Sequence, residues 1–80
     1  MNEGEASRSI ATMLAQRVGK TVCPSEVARE LAGPDGDWRA AMPTVHAAVD
    51  RLLDSGKIGV TWRGQSLPSR DGPYRIGARR

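Results

Sequence analysis

With 80 residues, 39% of them hydrophobic, a net charge of +3 and a single cysteine, the chain has room for one small domain and not for a deep substrate cavity besides its core. Cys23 alone cannot close an internal disulfide, and no apolar run approaches the roughly 18 residues of a membrane span, so a reduced, cytoplasmic protein is expected. The charge is uneven: residues 1–56 carry six basic and eight acidic side chains, whereas residues 57–80 carry Lys57, Arg63, Arg70, Arg75, Arg79 and Arg80 against Asp71 alone. Clustered arginines suit an anionic partner, because the guanidinium fork matches phosphate oxygens; the plainer alternative is a basic segment that only solvates the chain.

The acidic start, residues 1–5, lacks the basic and apolar stretches of a secretory signal and reads as a disordered lead-in. Ile10, Met13, Leu14 and Val18 recur at helical spacing and Gly19 follows, which predicts helix one from about Ala6 to Val18. Thr21-Val22 is a two-residue β-prone stretch. Pro24 then opens helix two, expected to Ala32, with Glu26 suited to the positive end of its dipole and Gly33-Pro34-Asp35-Gly36 as the turn beyond. Asp37 caps a short helical turn, Trp38 to Met42. Pro43 disfavours helical geometry in the residue ahead of it and so is expected to separate that turn from helix three, which runs to about Ser55 before Gly56. Val45, Ala48, Val49, Leu52 and Leu53 fill its apolar arc.

After Gly56 the period changes from 3.6 to 2: Ile58, Val60 and Trp62 alternate with Gly59, Thr61 and Arg63, and Tyr74 and Ile76 flank Arg75. Two strands are implied. Residues 64–73 between them are too many for a tight turn and read as a projecting loop that carries Arg70. The expected class is α+β, mainly α, with residues 6–77 as the domain and 78–80 as a basic tail.

Val45-x3-Val49-x2-Leu52-x3-Gly56-x-Ile58-x-Val60 resembles the junction of third helix and wing in winged helix-turn-helix domains. The runs Cys23-Pro24-Ser25-Glu26-Val27-Ala28, Asp37-Trp38-Arg39 with Met42-Pro43, and Gly72-Pro73 with Arg75 are similar to a family of small bacterial winged-helix domains of unknown function. The resemblance implies a three-helix core with a C-terminal β-hairpin wing, in which helix three enters the major groove of DNA and the hairpin reaches the neighbouring backbone or minor groove.

On that scheme Thr44, His46 and Arg51 are candidate base or backbone contacts on helix three, and Arg63, Gln65, Arg70 and Arg75 are candidate phosphate contacts on the wing. Double-stranded DNA is the expected partner and transcriptional regulation the expected role. Asp50 and Asp54 oppose it, since they lie one turn apart on the outward face and would meet a polyanion. They suit the alternative, a non-catalytic interaction or dimerisation module that offers this acidic face to a basic partner or to a second copy. Trp38 and Trp62 are expected to pack, and Cys23 reads as a small buried hydrophobe. One His and one Cys make no metal cluster, and no nucleophile or phosphate-loop motif is present. No catalysis, cofactor, metal or small-molecule substrate is therefore expected, and His46 with Asp50 reads as an exposed contact along the helix.

Overall fold

The computed structural model describes residues 2–78, so Arg79 and Arg80 of the expected basic tail lie outside the described residues. The fold is α+β and mainly helical, with three helices followed by a three-stranded antiparallel sheet. Helix α1 spans Glu3–Gln16, so residues 3–5 form its first turn. Asn2 caps it by accepting from the Glu5 N–H at 2.9 Å, and Glu3 and Glu5 complement the positive end of the helix. Ala6, Ile10 and Leu14, one turn apart, are its buried stripe. Val18 would continue that stripe if the helix did. The helix stops at Gln16 and the chain turns through Gly19 at φ +79°, which leaves Val18 86% exposed and outside the core.

Helix α2, Pro24–Ala32, has the expected bounds, and the Glu26 carboxylate accepts from the Cys23 N–H at its start. Cys23 is half-buried, with its thiol against the Ser25 hydroxyl at 3.1 Å. The turn after α2 is tight: a Cβ on Gly36 would stand 2.0 Å from the Ala32 carbonyl oxygen. Gly36→Ala must therefore push backbone against backbone, and a loss of about 1–3 kcal/mol is expected in chemical unfolding.

Helix α3, Trp38–Asp54, runs unbroken through Pro43, where a break was expected. Asp37 caps it through the Arg39 and Ala40 N–H groups, and Ala41 and Val45 are buried on either side of the proline. Pro43 forfeits one hydrogen bond in the second turn, and the packing of its neighbours outweighs that local cost. Gly56, at φ +72°, ends the helix: its N–H reaches the Leu53 carbonyl and the Lys57 N–H the Leu52 carbonyl, both at 3.0 Å.

Strand β1, Ile58–Trp62, turns at once through Arg63 and Gly64, both at positive φ (53° and 82°), into β2, Gln65–Leu67. Two left-handed residues make the turn whose twist matches an antiparallel hairpin. The hairpin is thus tight, and only residues 68–74 form the return segment to β3, Arg75–Ala78. The sheet order is β2-β1-β3, with Val60 opposite Leu67 on one side and Ile76 on the other. Val22 bridges the free side of β3, exchanging two 2.8 Å hydrogen bonds with Ile76. Ile10, Val22, Val27, Val45, Val49, Val60 and Ile76 are fully buried, so all three helices and the sheet share one apolar centre.

Candidate nucleic-acid interface

The core claims one side of α3 and leaves three strips of it for other work. Ala40, Pro43 and Asp54 lie on the outward ridge, with Ala47 half-buried among them and Arg39 at its start. One flank turns toward α1, where Arg51 stands 3.9 Å from the Glu3 carboxylate; Thr44, two turns before Arg51, is half-buried on that flank. The other flank, Met42, His46 and Asp50 at successive turns, faces the return segment.

Two rungs tie that second flank down. The His46 Nδ1 and the Tyr74 hydroxyl are 2.7 Å apart, and the Arg70 guanidinium Nε donates to the Asp50 carboxylate at 2.8 Å. His46 and Asp50 are therefore not partners of each other: each reaches across to the return segment, and His46 is half-buried. Arg70 pairs with one of the two acids that count against a polyanionic partner, and is itself held in doing so. Arg75 is held as well, donating to the Thr21 hydroxyl at 2.6 Å and to its carbonyl at 3.3 Å.

That leaves two exposed candidates on the hairpin, Arg63 in its turn and Gln65 directly after it. Arg63 has no carboxylate partner among the described residues and lies over the Trp62 ring at 5.9 Å. Trp62 is 38% exposed rather than packed away, and it lines a groove with Met42 and His46 of α3. The end of β1 accordingly stands across that groove from the N-terminal half of α3. Trp38, half-buried, has the guanidinium groups of Arg29 and Arg39 at 4.8 and 4.5 Å from its ring. Arg39 was legible as a basic neighbour of Trp38 in the chain; Arg29 reaches the same ring from α2, and no local pattern announces that.

Burial depresses the His46 pKa below 6.5, the Arg70 charge acts in the same direction, and Asp50 opposes both. Burial also raises the Tyr74 phenol to about 12, so it keeps its proton. The unfolded chain takes up the His46 proton first; the stability tied to neutral His46 is complete above pH 6.5 and is lost as the pH falls through the lower folded value. The thermal midpoint should decline across that window, and His46→Gln should flatten the decline. The Glu26 carboxylate, held below 4.5 chiefly by its hydrogen bond from Arg17, contributes a separate loss at lower pH.

Among the described residues no cluster of three or more His, Cys, Asp or Glu side chains is placed to hold a metal, and no helix is long and apolar enough to cross a membrane. No curated protein matches the chain. A family model described as protein of unknown function (DUF3253) matches residues 4–79.

Proposed function

The chain belongs to the DUF3253 family, whose description assigns no activity, and from its geometry we propose that it is a winged helix-turn-helix protein that binds double-stranded DNA. The order helix, β-bridge, helix, helix, strand, hairpin, strand supports the fold, with Val22 beside β3 and β3 beside β1. One observation carries the function: Trp62, at the end of β1 and next to the Arg63 guanidinium, lines one groove with Met42 and His46, so the hairpin that bears Arg63 stands beside the N-terminal half of α3. A duplex laid on the α3 ridge then meets Ala40, Pro43 and Ala47 in its major groove, with Thr44 and Arg51 on one border and Arg63 and Gln65 on the backbone beyond the other. Arg39 joins them at the start of the helix.

Arg70, Arg75 and His46 have a different part in this reading. They fix the wing to the body, and the pairing of Asp50 with Arg70 removes one of two acids from the docking face. The rival reading, an acidic face that receives a basic protein, loses Asp50 for the same reason and keeps Asp54. With few base-reading side chains on the ridge, most of the affinity comes from phosphates, and regulation of transcription in the cytoplasm is the role that suits it.

Fluorescence anisotropy with mixed-sequence duplex DNA at several salt concentrations tests the proposal. Log affinity should fall linearly with log salt, and Arg63→Ala should make the slope shallower by about one, the share of a single phosphate contact. No binding at low salt would sink the proposal.

A further inference from the structure

Both tryptophans of the chain carry arginines over their rings, and none of those arginines is spent on an ion pair. Elsewhere Arg17, Arg51 and Arg70 stand against carboxylates, and Arg75 is bound to Thr21. Arg29 of α2 and Arg39 of α3 instead lie 4.8 and 4.5 Å from the centre of the Trp38 ring, and among the described residues neither guanidinium has a carboxylate or hydrogen-bond partner. Trp38 is half-buried against the core, so the ring is fixed and orients what lies on it. The two cations repel each other, and the indole attracts each without neutralising either. Nearby acids do not supply the missing charge. Glu26 is bound by Arg17, Asp37 accepts from the first N–H groups of α3, and Glu30 and Asp35 are exposed and reach neither arginine.

We propose that Trp38 positions Arg29 and Arg39 as a second phosphate site, which takes the DNA backbone at the start of α3. This site presupposes the duplex binding proposed above and adds Arg29 and Trp38 to it. An anionic occupant follows from two cations that the chain itself leaves without a counter-charge, and the guanidinium fork matches phosphate oxygens. Location selects the backbone of the duplex. Arg39 opens the outward ridge of α3, and the exposed Ala40 beside it has no side chain long enough to block an approach. A duplex on that ridge presents phosphates along both borders of its major groove. Arg63, over Trp62 at 5.9 Å, meets them from the wing, and Arg29 and Arg39 meet them at the helix start. Trp38 touches no DNA in this arrangement. It acts as a positioning residue, ordering two long side chains before contact and so reducing the entropy that binding removes.

The test is the anisotropy of a mixed-sequence duplex at several salt concentrations, with thermal unfolding of every variant beside it. Arg29→Gln and Arg39→Gln lie at exposed positions and should keep the fold. Each should make the slope of log affinity against log salt shallower by about one, and the pair by about two, one phosphate for each guanidinium. Arg29→Lys keeps a charge there and should return the wild-type slope. Lys20→Gln removes an equal charge elsewhere: Lys20 lines a groove with Thr61 and Gly77, which alternate with the core residues Val60 and Ile76 and so face away from the core. That variant should leave the slope unchanged. Trp38→Leu, or Trp38→Phe if the first does not fold, should weaken binding, about threefold for leucine, at the wild-type slope. The loss should vanish in protein that lacks both arginines, whereas a merely structural loss would persist there. Wild-type protein that fails to bind at low salt would overturn the duplex reading and this site with it. Binding whose slope ignores Arg29→Gln and Arg39→Gln, or responds equally to Lys20→Gln, would overturn this site alone, and a Trp38 effect that survives without the arginines would overturn its positioning role.

Discussion

Ile76→Ala should lower the thermal midpoint by at least 12 °C and leave much of the chain unfolded at 37 °C. Ile76 is fully buried and is paired on both sides of β3, opposite Val60 in β1 and bridged to Val22 on its other side. Truncating a buried isoleucine costs about 2–5 kcal/mol, the upper part of the range applying where backbone pairing on both sides prevents the site from collapsing. An 80-residue domain holds only about 4–12 kcal/mol in all, and each kcal/mol moves its midpoint by roughly 4–8 °C. Val18→Ala is the companion measurement: this valine shares the spacing of the α1 core positions but is solvent-exposed, and its removal should change stability by less than about 0.5 kcal/mol. Comparable losses at the two positions would mean that the sheet centre is not the core.

The contrast between those two residues marks how far the order of residues alone reaches. Where a local signal and a tertiary contact agree, the sequence is explicit: Pro24 and Gly33 bound α2, Gly56 stops α3, and the change to period two begins at Ile58. Where packing overrides a local preference, it misleads. Pro43 argues for a break that Asp37, Ala41 and Val45 suppress, and Val18 keeps a helical spacing after the helix has ended. β2 is hidden for a third reason: Gln65-Ser66-Leu67 is a three-residue edge with one apolar side chain, and Arg63 stands where an asparagine or aspartate would have signalled the turn.

The site is the least legible part, because its decisive pairs are remote in sequence. Arg70 and Asp50 are 20 residues apart, His46 and Tyr74 28, and Arg75 and Thr21 54. A basic C-terminal third is visible from composition, yet composition cannot tell an arginine spent on the fold from one left for a partner. Of the seven candidates, Thr44 and Arg51 lie on the flank of α3 that turns toward α1, and Arg63 and Gln65 are exposed on the hairpin. The other three, His46, Arg70 and Arg75, brace the wing.

That division leads to the second large effect. Ala40→Glu should weaken duplex DNA binding at least tenfold, and combination with Arg63→Glu should bring the loss to about a hundredfold if the two sites act independently. Ala40 is exposed on the first turn of α3, where a carboxylate favours the helix dipole. The variant should therefore fold at least as well as the wild type, so lost binding cannot be ascribed to lost structure. Asp54→Ala has the opposite sign. Removing the acid that remains on the ridge should tighten DNA binding a few-fold, by less at high salt, because a repulsion across the groove is screened over roughly 10 Å. A module that docks a basic protein on the same face requires the reverse, with Asp54→Ala weakening the complex and Ala40→Glu strengthening it. The two substitutions thus move oppositely under each reading, and the anisotropy of the pair against one duplex decides between a face that meets phosphate and a face that meets protein.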